Sequence, residues 1–156
     1  IGGWREHYRS IGAGDPAMLS YAGLNRMALE LVEALHAGNA VAFDAAGTRA
    51  LRRCLEQKNR ADADFWSIVG LIEIDLYEAI SAQQLSKQLD DLLKAYTDLS
   101  QRVSSPQLWS SVVSHTGFVL DAYLPRAPQQ EAGAVKHLKR RLRTFAAHGT
   151  NDAEPA

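Results

Sequence analysis

An aromatic or apolar-aromatic step opens three long helical segments of this chain, at Tyr21, at Phe65-Trp66 and at Leu108-Trp109. Trp66 and Trp109 are 43 residues apart, and Tyr21 lies a similar distance upstream. Each segment runs into a second amphipathic segment, and the connection between them is short enough to turn the chain back antiparallel. Self-similarity at such a period constrains the fold, because a single helical hairpin cannot bury its apolar face alone and must stack on a neighbour. The expected fold class is all-α: a right-handed solenoid of stacked antiparallel helical hairpins, with about six long helices.

The local signals place those helices. Asp15-Pro16 reads as a cap followed by Pro at the first helical position, where a missing N–H costs nothing. The first helix should run over 16–37, with Tyr21, Leu24, Ala28, Leu31 and Leu35 on one apolar face. Gly38-Asn39 ends it with residues that tolerate the left-handed conformation. A second helix is expected from about Phe43 to Lys58, burying Ala46, Ala50, Leu51, Cys54 and Leu55. The third, from Asp64 to about Ala82, is apolar nearly all round and so should be packed on both sides, with Gly70 marking a close helix crossing. In the fourth, about Gln83 to Val103, Leu85, Leu89, Leu92, Tyr96, Leu99 and Val103 follow heptad spacing. Ser105-Pro106 repeats the cap-then-Pro signal for a fifth helix, 106–124, with Leu108, Val112, Val119 and Tyr123 inward and Gly117 interrupting it. After the Pro125–Pro128 break, the sixth helix runs over about 129–147 on Val135, Leu138, Leu142 and Phe145. No stretch alternates apolar and polar residues as a strand does. Pairing sequential helices gives hairpins over 16–58, 64–104 and 106–147. The expected organisation is a tail or the end of a preceding repeat over 1–14, one helical-repeat domain over 15–148 and a disordered tail over 149–156.

Composition narrows the function classes. The 156 residues carry a net charge of −1, so no global electrostatic commitment to nucleic acid or membrane exists. The charge is unevenly placed. Residues 61–100 hold eight acids against Lys87 and Lys94, whereas 135–145 hold Lys136, Lys139, Arg140, Arg141 and Arg143 with no acid. Cys54 is the only cysteine, so no intramolecular disulfide can form and a reducing, cytoplasmic setting is expected. No apolar run approaches the roughly 20 residues of a membrane span, and no signal-peptide pattern opens the chain. A start without Met reads as an excised or processed fragment of a larger protein.

Tyr21-x-x-Leu24-Asn25-x-x-Ala28-Leu29, followed by Asp64-Phe65-Trp66 and then Glu73, resembles the extended tetratricopeptide-like regions of the TRAFs-binding type. Such regions occur in stress-activated kinases and beside effector domains in bacterial conflict and signalling proteins. The Asp-aromatic-Trp step and the Glu73 spacing match that pattern; the small-residue positions depart from it, because Leu29 and Leu31 make the first helix heavier. The likeness covers roughly residues 15–100. It implies that the stacked hairpins form a tetratricopeptide-like right-handed solenoid with longer helices, and a regulatory or scaffolding region that holds or senses something for an attached domain; it carries over no catalytic residue.

Chemistry-bearing residues are sparse. His7, His36, His115, His137 and His148 form no metal-ligand spacing, so no metal site is expected, and no phosphate loop or nucleophile elbow suggests a cofactor or catalytic residue. Glu73 and Asp75 interrupt the most apolar helix. Either Glu73 is an acid or cation ligand in a groove, or it caps a helix or pairs with a residue such as Arg26 while Asp75 meets solvent. Ser111 and His115, one turn apart, could form a polar pocket or a nucleophile pair; a polar strip on a half-exposed helix is the plainer reading. The cations Arg49, Arg52 and Arg53 and the set Lys136, Lys139, Arg140, Arg141 and Arg143 are the candidate binding residues, together with Glu73. The resulting expectation is a non-enzymatic protein-interaction or ligand-sensing module with a protein or peptide partner, an attached effector domain or an anionic ligand. Alternatives are a nucleic-acid- or nucleotide-binding helical domain using the last helix, and an enzyme with an inter-helix polar pocket. A homodimer through the leucine row of the fourth helix is a further expectation.

Overall fold

A computed structural model of the chain describes residues 16–148. Its elements are α1 (Pro16–Ala37), α2 (Ala45–Asp62), α3 (Phe65–Ser81), α4 (Leu85–Arg102), α5 (Pro106–Tyr123), a single 3-10 turn (Leu124–Arg126) and α6 (Gln129–His148). Six α-helices and no strand are present among the described residues, so the chain is all-α. Both expected tails, 1–14 and 149–156, and the Asp15 cap lie outside the described residues. No helix among those described is long and apolar enough to cross a membrane.

The helices group by threes. The chain divides after Ser81 into two compact units, and that division falls inside the pair expected over 64–104. In the first unit α1, α2 and α3 each pack against the other two; in the second, α6 packs against both α4 and α5.

Local chemistry accounts for the helix ends. Gly38 takes φ +72°, its N–H donates to Leu35 O, and the Asn39 N–H reaches back to Ala34 O at 2.9 Å. These are the paired bonds of a Schellman C-cap. Asp64 and Ser67 form a reciprocal capping box, the Ser67 N–H donating to Asp64 Oδ1 at 2.8 Å and the Asp64 N–H to Ser67 Oγ at 3.1 Å. Ser67 Oγ also donates to Asn59 Oδ1 at 2.5 Å, tying the end of α2 to the start of α3. The Asp64-Phe65-Trp66 step is therefore a helix start: Asp64 caps, Phe65 is buried, and Trp66 is 49% exposed. Ser105 caps α5, accepting from the Leu108 N–H, with Pro106 just inside.

In the first unit α3 buries most of its length, including Val69, Ile72, Ile74, Leu76, Tyr77 and Ile80. Gly70 lets this happen. A Cβ there would lie 3.0 Å from Leu55 Cδ1 and 3.1 Å from Leu24 Cδ1, so α1 and α2 both press on α3 at the glycine, the close crossing expected of it. The α2 stripe needs correction: Thr48, Leu51 and Leu55 are buried, Cys54 is half-buried, and Ala46 and Ala50 face solvent. Tyr21, also placed inward from its spacing, is 56% exposed. One or two small or amphipathic residues at the edge of a stripe leave its angular centre uncertain by tens of degrees, and packing decides the rest.

The core of the second unit centres on Trp109. Its indole N–H donates to Val103 O at 2.9 Å. The ring meets Tyr96 edge-on at 6.3 Å and Phe145 at 5.0 Å, and Arg141 lies over the far ring, 5.1 Å from the Phe145 centroid. The row Leu85, Leu92, Tyr96 and Leu99 on α4 is buried, with Leu89 half-buried.

A buried carboxylate joins the three helices of this unit. Glu131, in the first turn of α6, has no exposed surface. Its Oε1 accepts from the Leu85 N–H at 2.7 Å and from the Tyr123 hydroxyl at 2.9 Å, and its Oε2 accepts from the Ser86 N–H at 2.7 Å. The α4 N-terminus has no side-chain cap of its own from Gln84, so a residue 46 positions away serves as one. Burial alone would raise the Glu131 pKa. The hydrogen bonds from Ser86, Tyr123 and Leu85 outweigh burial and hold it below the usual carboxylate range. Burial, and then the bond to Glu131, push the Tyr123 hydroxyl well above its ordinary value.

Candidate functional site

The expected binding residues fall in two places. On α2, Arg49 and Arg53 are exposed. Arg52 instead bridges to α3, donating to Asp75 Oδ1 at 2.8 Å and to Glu78 Oε1 at 3.1 Å. Although burial opposes it, that pair of carboxylates raises the Arg52 pKa above its usual value. Glu73 is 4% exposed and is not without a partner. The structure therefore does not bring Glu73 into an open groove with Arg49 and Arg53.

On α6 the cations separate by role. Arg141 covers Phe145. Lys139 binds the Asp121 carboxylate of α5 across the helix pair. Lys136, Arg140 and Arg143 stay exposed. At steps of four and three they occupy an arc of about 60° on the helix and span about 10 Å along it. The last helix thus carries a cationic ridge.

Beside that ridge lies a groove of about 350 Å³ between α5 and α6, lined by Val113, Gly117, Phe118, Asp121, Lys139, Leu142 and Arg143 among others. Apolar Val113, Leu120 and Leu142 line it together with polar Ser114, and its one acid, Asp121, is matched by Lys139. Phe118 stands at its edge, 49% exposed. Gly117 lines the groove and faces open space, since a Cβ built there meets nothing within 4 Å. On the other side of Phe118 a shallower open depression is lined by Ser110, Ser111, Ser114 and His115. There Ser111 Oγ donates to Gln107 O one turn back at 3.3 Å. That bond occupies the proton a nucleophilic serine hands to its base. Among the described residues no three His, Cys, Asp or Glu side chains gather as a metal ion requires.

The cations are legible in the sequence; the groove is not. Gly117 was visible as an interruption of its helix, and Phe118 as an aromatic residue absent from the inward set Leu108, Val112, Val119 and Tyr123. An aromatic off the buried face beside a glycine is the signal that points here. Comparison of the chain with protein-family models, with curated proteins and with solved structures returned no match.

Proposed function

We propose that this chain is a non-enzymatic interaction or regulatory module of a larger signalling or defence protein, of the kind its Tyr21 and Asp64-Phe65-Trp66 steps resemble. Its binding face is the α5–α6 groove. The observation that carries this reading is the conjunction at one place of the apolar Val113, Leu120 and Leu142, a half-exposed Phe118 and the exposed Arg143, which continues into the α6 ridge. A hollow built so suits a side chain inserted from a partner. With about 350 Å³ it sits at the small end of ligand sites, about 300–1,000 Å³.

Amide chemical-shift mapping of the isotope-labelled chain against a random peptide mixture tests it. Perturbations clustered on 113–121 and 139–143 support the reading; perturbations elsewhere, or none at millimolar peptide, overturn it. The exposed Lys136, Arg140 and Arg143 ridge favours a second reading, nucleic-acid binding through α6. Three phosphate contacts give a slope of log affinity on log salt of roughly −2 to −3; no binding to duplex or single-stranded oligonucleotide at low salt removes it.

A further inference from the structure

We infer that the occupant of the α5–α6 groove is an acidic, amphipathic peptide segment that inserts one large apolar side chain over Gly117 and lays its carboxylates along Arg143, Arg140 and Lys136. The inference rests on the proposed interaction function and specifies the partner's chemistry.

Gly117 supplies the first half of the reasoning. A glycine inside a helix costs about 1 kcal/mol relative to alanine. Among the other helical glycines, Gly23 and Gly70 have a packing reason for it, because Leu51 fills the Cβ position of the one, and Leu24 and Leu55 that of the other. Gly47 is crowded by Asp44 and Arg26, and exposed Gly133, like Gly117, meets nothing, but Gly133 does not line the groove. Gly117 has none within the chain: the space is open, and Val113, Leu142 and the Phe118 ring border it. An aliphatic or aromatic side chain from outside would contact Val113, Leu142 and the Phe118 ring where the chain itself places nothing.

Charge supplies the second half. The groove's own acid, Asp121, is held by Lys139, so the remaining rim charge is positive. After the buried Glu131, α6 carries no acid to oppose Lys136, Arg140 and Arg143. Their spacing repeats at three and four residues, the rise at which a helical partner presents carboxylates on one face. A nucleic acid fits less well. Phe118 is the only aromatic residue lining the groove, no aromatic residue alternates with the α6 cations, and the acid Asp121 is part of the lining.

The test selects displayed random peptides of about 15 residues against the whole 156-residue chain. Enriched peptides are then titrated by fluorescence anisotropy against wild type, Gly117→Trp and the double variant Arg140→Glu/Arg143→Glu. Circular dichroism checks each variant's fold, and the charge variant, altered only at exposed positions, guards against a misfolded Gly117→Trp. The expected result is a consensus of two or three acids at helical spacing around one large apolar residue. Binding should be abolished by Gly117→Trp and weakened roughly tenfold by charge reversal. Enriched peptides without acids that still lose binding to Gly117→Trp overturn the partner chemistry and leave the interaction function standing. Failure to enrich any groove-dependent peptide, or tighter binding of a single-stranded oligonucleotide than of the selected peptides at 150 mM salt, overturns both.

Discussion

The same substitution should act in opposite directions at two glycines. At Gly70, alanine places a Cβ about 3 Å from two leucine methyl groups of neighbouring helices, and overpacking of that kind costs about 1–3 kcal/mol, more than the helix propensity gained. At Gly117 the Cβ enters open space, so Gly117→Ala should stabilise the chain by about 1 kcal/mol while shallowing the groove. Urea titrations of the two variants check the signs; a stabilised Gly70→Ala would show that the α1–α2–α3 crossing is looser than the structure has it. Thr116 makes a third single-residue test. Its side-chain oxygen is fully buried with no hydrogen-bond partner. Thr116→Val keeps the shape and removes the desolvation penalty, so the denaturation midpoint should rise by the equivalent of about 1 kcal/mol. The residues around these positions show where periodicity is informative. Val112, Val119 and Tyr123 were placed inward from spacing and are buried. Tyr21 was placed inward by the same kind of spacing and is exposed, as is Trp66, because a large amphipathic ring at the edge of a stripe buries one side and leaves the other in water.

At the scale of elements, Glu131 joins the starts of α4 and α6 and the end of α5. Glu131→Gln removes the charge and replaces one acceptor oxygen with a donor that faces a backbone N–H. The expected cost is about 1–3 kcal/mol, read as a lower thermal midpoint and faster hydrogen exchange at the first amides of α4. Because the folded pKa of Glu131 lies below its unfolded value, its contribution is present above the unfolded value of about 4.3. It is lost as pH falls through the lower folded value. Acid titration of wild type should therefore show a loss of stability below about pH 4 that Glu131→Gln lacks. An unchanged acid limb in the variant would sink the capping account. The helices themselves were legible to within a few residues, since caps and prolines are local: Pro16, Gly38, Asp64, Ser105 and Pro106 act on backbone groups at most a few positions away. The α4 cap was not legible, because its acceptor is contributed from α6 and nothing near Gln84 announces it.

For the whole molecule, the division after Ser81 predicts that the second unit holds its own core. A chain beginning at Ala82 should keep a helical circular-dichroism spectrum, a cooperative thermal transition and the blue-shifted emission of a buried Trp109; a broad, non-cooperative melt would refute this. The sequence by itself determined that the chain is all-α, where six helices begin and end, and that cations gather on the last of them. These follow from hydrogen-bonding and apolar periodicity over a few residues, which any neighbouring structure must respect. Only the tertiary structure decided that the helices associate in threes, that Glu73 is buried while Arg52 is bound to Asp75 and Glu78, and that Gly117, Phe118 and Arg143 meet in one groove. Those outcomes depend on which faces cover which, and stripes a hundred degrees wide can pair in several ways until side-chain volumes and glycine gaps select one.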